Sequence, residues 1–594
     1  MIAGSNRKAF RWQCGSAGAL ALLLLGSGCA QQPGSGELPD SAAADTVIYN
    51  ARVYTVEPGN AWAEAVAIRD GNYVFVGSSS GVESFVGANT SRVDLNGRML
   101  MPGINDGHAH PWQGGIKALN HCGFSFAASP GDIAERLRDC IAKNPDASWV
   151  VGGQWTSDFF RSHDIGSPRS WLDAISSEKV IFLHDDATHN GWVNSKALAL
   201  AGITRDTPDP EGGTIVRDDE GVPNGLLYEQ ARRAILDLQP SYTVAQYKAA
   251  ITEALKQANS FGLTGVNEAR VPPVALQAYA ELDAEKKLDA RVTVNLQTPR
   301  EYRDYPLDIA EYVALRERYS MQRVDAGFVK FFLDGVPTAS RTAYMLDDYL
   351  TDHQHPDATR GFLLIAPAVL TQDLIALDAA GFTVKIHAAG DGSVRIALDA
   401  LEKVRQTNGD SGLRHELAHA GFISPADLPR FAALNVTADL SPYLWYPSPI
   451  IDSIRGALGE RGEFYWPVKD LLDSGANVLL GSDWPSAARD LSPWHAIEAL
   501  VTRRNPFTDD EQTYWPEQAV TLEQALSIAT ASGALALKQD TRTGTVAVGK
   551  SADFIVLDRN LFEIPLQQIS ETQVLQTWLE GEQTYIAPSG PASQ

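Results

Sequence analysis

Asn105-Asp106-Gly107-His108-Ala109-His110-Pro111 decides how the rest of this chain is read. It follows the apolar run Met99-Leu100-Met101-Pro102-Gly103-Ile104, which has the character of a buried strand end. Side chains alternate along a strand with a period of two, so His108 and His110 point the same way. Two imidazoles on one side of a strand tip can reach one metal ion. A His-x-His pair alone is common. Here four further polar residues follow in order, each at the end of an apolar, β-prone run: Lys330, His387, His419 and Asp483.

Working outward, strand-like runs fall at residues 262–268, 291–296, 326–335, 382–387, 416–419, 435–440 and 477–483, with helix-length connectors between them. With the His-x-His strand they make eight. Eight βα units predict an α/β fold, a TIM-type (β/α)8 barrel over residues 104–540, with its chemistry at the C-terminal strand ends. An open doubly wound sheet would scatter the polar residues instead. Residues at about 145–240 do not fit a simple barrel connector and read as an insertion subdomain over the barrel mouth, shaping the substrate pocket. The flanks at 46–103 and 541–588 are strand-rich and predict a small composite β-sandwich built from both chain ends, with the hairpin turn Arg69-Asp70-Gly71-Asn72 in its first part.

The chain has 594 residues, enough for two or more domains. Apolar residues at 44% and charged residues at 21% describe a globular protein. The formal net charge of −24 argues against a nucleic-acid partner, because no basic stripe is available to displace counterions from phosphates. At the N-terminus, Arg7, Lys8 and Arg11 precede a short apolar run, 17–25, too short for a permanent membrane span. Gly26-Ser27-Gly28-Cys29 then resembles a lipobox, with Gly26 where a larger aliphatic is usual. Residues 1–29 are expected to be a lipoprotein signal peptide with Cys29 as the lipidated residue, and 30–45 a flexible tether. The location this implies is the bacterial cell envelope, lipid-anchored at the outer membrane and facing the periplasm; the alternative is a secreted or periplasmic soluble protein. Cys122 and Cys140 either close a short disulfide loop, as an oxidising compartment allows, or stand as separate buried thiols.

Imidazole and carboxylate ligands with an open position suit zinc and related ions, and a bound ion lowers the pKa of its water to about 7. His108, His110 and Asp483 are the expected ligands of one ion, with Asp483 also the general base and acid. His387 and His419 would hold a second. Lys330 is either a carbamate bridging both ions or a structural or substrate-binding lysine beside a single ion.

Asp106-Gly107-His108-Ala109-His110-Pro111, Val329-Lys330, Leu333-Asp334-Gly335, His387-Ala388-Ala389-Gly390-Asp391, Ala418-His419-Ala420 and Gly481-Ser482-Asp483 together resemble the amidohydrolase superfamily. The insertion, with Trp192-Val193-Asn194-Ser195-Lys196-Ala197-Leu198 and Pro210-Glu211-Gly212-Gly213, is similar to its amidohydrolase 3, or YtcJ-like, branch. The resemblance implies the metal ligands His108, His110, Lys330, His387, His419 and Asp483, with Lys330 as the carbamate, and one or two divalent ions, zinc favoured. It departs at Ala418, where relatives often carry Glu, and His415 competes with His419 as the ligand. His419, at the strand tip, is preferred. His189, Trp192, Asp334 and Arg341 are expected substrate contacts. The expected reaction is hydrolysis of an amide-like or cyclic C–N bond by a metal-activated water. The same scaffold allows deamination, ester hydrolysis or a catalytically silent surface lipoprotein. Expected partners are a small amide-like substrate, the membrane through Cys29, and optionally a second copy as a homodimer.

Overall fold

The computed structural model describes residues 43–588, apart from 126–127, 157–158, 186–189, 211–212, 300–302, 339, 352–356, 487 and 489. Cys29, the expected signal peptide, tether residues 30–42 and His189 lie outside the described residues.

Eight parallel strands form one sheet in chain order: β1 (Ile104–Ala109), β2 (Leu263–Val271), β3 (Arg291–Gln297), β4 (Val324–Phe332), β5 (Thr383–Ala388), β6 (Glu416–His419), β7 (Thr437–Leu440) and β8 (Asn477–Leu480). These are the eight expected strands, and the TIM-type barrel holds. The strands are buried on both faces and read as near-continuous apolar runs, as a helix-covered parallel sheet requires. The ends of the sheet meet at the rim: Asp483 N–H donates to His108 O (2.6 Å) and His110 N–H to Trp484 O (2.7 Å). The covering helices bury one stripe each. In Val244–Ser260, started by the Thr243/Gln246 capping box, the stripe is Ala250, Ile251, Ala254, Leu255 and Ala258.

The apolar run before His108 is two strands rather than one. Met99–Pro102 belongs to a different sheet, and β1 begins after Gly103. The break falls on glycine because a Cβ at Gly103 would collide with the Thr264 side chain on β2. The apolar stretch 47–55 likewise divides at Asn50, whose φ of 52° turns the chain between Thr46–Tyr49 and Arg52–Tyr54.

The two chain ends share a six-stranded sheet in which Phe554–Leu557 runs antiparallel to Met99–Pro102. A four-stranded sheet from residues 46–94 faces it across a core that includes Ile48, Val53, Val66, Tyr73, Leu100, Phe554 and Val556. The expected hairpin is present, with Asp70 and Gly71 at positive φ in the turn. The insertion forms a six-stranded sheet that also takes in Cys122–Gly123, upstream of residue 145. Lys117 on the helix after β1 donates to Gln154 of that sheet (2.7 Å). Cys122 and Cys140 are disulfide-bonded, with Cα atoms 6.0 Å apart. No helix among the described residues is long and apolar enough to cross a membrane.

Candidate metal centre

The barrel brings the six expected donors to one rim. His108 sits on β1 and His110 one residue beyond it; Lys330 is on β4 and His387 on β5; His419 ends β6, and Asp483 follows β8. Asp483 Oδ1 lies 3.3 Å from His110 Nε2 and 3.6 Å from His108 Nε2. One ligand atom from each of these three falls within 4.8 Å of the others. Lys330 Nζ donates to His108 Nε2 at 3.3 Å. The His419 ring is 5.0 Å from that of His108 and 4.5 Å from that of His387.

Local backbone aims these groups. His419 (φ 70°), Ala420 (φ 30°) and Asp483 (φ 56°) all adopt the left-handed region. For residues with a Cβ this costs about 1–3 kcal/mol each and persists where surrounding structure enforces it. At Gly481 a Cβ would collide with the Cβ of His108, so the end of β8 can approach β1 only as glycine.

Behind the donors stand carboxylates that sequence reading did not single out. Asp439 on β7 accepts from His108 Nδ1 at 2.6 Å, and Glu268 on β2 lies 3.5 Å from His110 Nδ1. Lys385 on β5 bridges Asp439 (2.6 Å) and Glu416 (2.7 Å) and donates to Gly107 O (2.8 Å). A signal was present: in Val384-Lys385-Ile386-His387, Lys385 shares the strand parity of His387. Burial holds His108 and His419 well below the ordinary imidazole value; for His108 the Lys330 ammonium adds to this, and for His419 the neighbouring His387 and His108. Burial works against protonation of Lys385, but Asp439 and Glu416 outweigh it and raise its pKa. Asp106, which accepts from the backbone of His108 and Ser482, is pushed up to about 6 by burial.

The residues fit a divalent cation. His108 is neutral, with its proton on Nδ1 and its Nε2 lone pair facing Asp483 and His110. His387 Nε2 donates to Gly335 O at 2.8 Å, which fixes that tautomer as well. Asp483, its side chain 22% exposed, stands at the open side of the cluster.

The expected substrate contacts fare differently. Trp192 is corrected: it is fully buried in the insertion's core against Trp171 and Phe160, with Nε1 donating to Pro168 O. Asp334 is also corrected: it is buried, and its oxygens accept from Tyr344, Ala389 and Gly390 N–H and from Ser393 Oγ, so it braces the loops beside His387. Arg341 is buried in the loop after β4, at φ 54°. His415 sits at the opposite end of the barrel, with Nε2 on Asp378 (3.0 Å) and Nδ1 accepting from Val384 N–H.

Residues 92–585 match the sequence model of the amidohydrolase family, Amidohydro_3. Protein LONG AFTER FAR-RED 3 of Arabidopsis thaliana is 30% identical over 560 residues, 92% of each chain. The N-substituted formamide deformylase of Arthrobacter pascens is 27% identical over 91% of this chain and 98% of its own. An uncharacterized metal-dependent hydrolase from Pyrococcus furiosus has the same fold, with a TM-score of 0.68 at 24% identity over 87% of this chain and 99% of that one. Matched along most of its length, the chain belongs to the amidohydrolase family, and its chemistry is of the hydrolase kind.

Proposed function

We propose that the protein hydrolyses an amide-like or cyclic C–N bond of a small molecule, using one or two divalent ions, zinc by preference, at the β1/β8 rim. The observation that carries this reading is the donor set: His108, His110 and Asp483 within reach of one ion, with Lys330, His387 and His419 beside them. A set dominated by imidazole suits zinc better than magnesium. Lys330 would hold an ion as a carbamate, which would turn a cation among imidazoles into an anionic ligand. An ion held there supplies Lewis-acid polarisation of a carbonyl and activation of water.

The chain's own residues do the rest. Asp483, 3.3 Å from His110 Nε2 and partly exposed, accepts the attacking water's proton and delivers it to the departing nitrogen. His108 stays fixed by its hydrogen bond to Asp439, so its Nε2 need not reorganise, and Glu268 faces His110 Nδ1 from 3.5 Å. The name of the deformylase relative points to N-substituted formamides as the first compounds to try. Metal analysis and a panel of N-acyl compounds, formamides, esters and amino-heterocycles test the reading. The expected result is bound zinc and carboxylate and amine products that together equal the substrate plus one water. A metal-free protein, or a zinc-loaded one that turns over only esters or amino-heterocycles, overturns it.

The same reading anchors the protein through acylated Cys29 to the outer membrane, facing the periplasm. The Cys122–Cys140 disulfide supports an oxidising compartment. Mass analysis of the mature N-terminus checks this: an acylated Cys29 is expected, and an unmodified N-terminus at another residue overturns it.

A further inference from the structure

Lys385 is buried deep in the barrel, and a lysine ammonium has three protons to donate. Two are committed to hydrogen bonds, with Asp439 Oδ2 (2.6 Å) and Gly107 O (2.8 Å), and Glu416 Oε2 stands 2.7 Å away as an ion-pair partner. Glu416 lies beside Lys385 in the β5–β6 register, and Asp439 lies beside Ala418 in the β6–β7 register. Gly107, on β1, lies across the sheet closure and directly precedes His108. One ammonium thus ties β5, β6, β7 and β1 together. The Asp439 oxygen it holds is the one that takes the Nδ1 proton of His108.

We propose that Asp439 is the positioning residue for His108, and that Lys385 holds Asp439 in the orientation that does this. The inference rests on the reading of His108 as a metal ligand. With Oδ2 pinned by an ammonium, the carboxylate cannot turn away from the imidazole. The Nδ1 proton is therefore fixed, and the Nε2 lone pair is committed to the side where Asp483 and His110 stand. Lys385 acts on His108 a second time through the Gly107 carbonyl, which restrains the backbone next to it. The brace makes His108 a better ligand before any ion arrives. Carboxylate partners of ligating histidines typically change metal affinity by about 10–100-fold.

Asp439→Asn keeps the shape but places a neutral group between Lys385 and His108. Zinc affinity of the full chain, measured by competition with a chelator, should fall by about 10–100-fold. Lys385→Met should lower it in the same direction, and the double variant should lose less than the two single losses combined, because both act through one oxygen. Asp378→Asn is the control. It breaks a different buried carboxylate–imidazole pair, Asp378–His415, and should lower Tm while leaving zinc affinity unchanged. A second measurement needs no variant at Asp439: nitrogen-15 spectra of the histidine-labelled protein should show a buried imidazole protonated at Nδ1, lost in His108→Gln. The inference is overturned if Asp439→Asn binds zinc as tightly as the wild type, if Asp378→Asn weakens binding equally, or if that imidazole carries its proton on Nε2. A wild type that takes up no zinc sinks the metal reading itself, and this inference with it.

Discussion

At the N-terminal end of the barrel, where the chain-end sheets attach, buried carboxylates and cations are matched. Arg291 at the start of β3 meets Asp553 (2.8 Å) and Glu580 (2.9 Å), and Glu580 also meets Arg323 (2.6 Å). Four charges satisfy one another and join two parts of the molecule. At the opposite rim the balance differs. The ion-pair partners of Asp483 among the described residues are imidazoles, at His108 and His110. Burial holds two of the rim imidazoles, His108 and His419, neutral, while at His110 burial is outweighed by Asp483 and Glu268 and the pKa is raised. A buried ion pair complete in itself is a structural joint. A carboxylate shared between two imidazoles is a donor set suited to a cation. The same residue types thus serve adhesion at one end and chemistry at the other.

The contrast can be broken most directly at the rim. Asp483→Asn removes the proton carrier and should lower kcat/KM by about 10²–10⁴-fold, with the Tm of the chelator-treated variant close to that of the wild type treated alike; steady-state kinetics beside a thermal melt check both halves. A kcat/KM loss that only followed a loss of folded protein would erase the distinction. At the other end, Arg291→Met leaves Asp553 buried without its guanidinium, and breaking such a pair costs about 3–5 kcal/mol. Denaturant titration should show that loss, while activity per folded molecule stays unchanged. Stripping the ion sharpens the comparison again. An ion present at about 100 times its Kd contributes about 2.7 kcal/mol, so a chelator should lower the Tm of the wild type and leave that of His110→Ala where it was.

The smallest expected effect concerns pH and a third buried pair, Asp378 with His415. Burial would raise the Asp378 pKa, but hydrogen bonds from His415, Ser411 and Asn408 outweigh it and hold the carboxyl below the usual range. A depressed carboxyl stabilises the fold fully above its unfolded value of about 3.9 and loses that contribution as pH falls below it. His415 is depressed by burial, so acid also favours the unfolded state from about pH 6.5 downward. Stability should therefore decline in two stages on acidification, and Asp378→Asn should remove the lower stage; melts from pH 7 to 3 read this.

The barrel was legible because parallel strands buried on both faces leave short apolar runs, and each donor sits where such a run meets the rim. Lys330, His387, His419 and Asp483 could be placed for that reason alone. What was not legible came from contacts between strands. Asp439 is an unremarkable acid in Thr437–Leu440 until the closed sheet sets it against His108, far away in the chain. Trp192 misled for the opposite reason. Its place in a family-like motif suggested ligand contact, but that motif closes the insertion's own core around Pro168, Trp171 and Phe160. The split at Gly103 was hidden because two strands of different sheets that follow without a loop look like one in sequence.

That split also sets an order of assembly. Met99–Pro102 leads directly into the His-x-His strand, yet its partner Phe554–Leu557 emerges from the ribosome only after the whole barrel has been made. Such a distant pairing forms late, since long-range contacts close against a large entropy of the intervening chain. A nascent or truncated polypeptide lacking the last strands therefore leaves the strand that leads into His108 and His110 without its antiparallel partner.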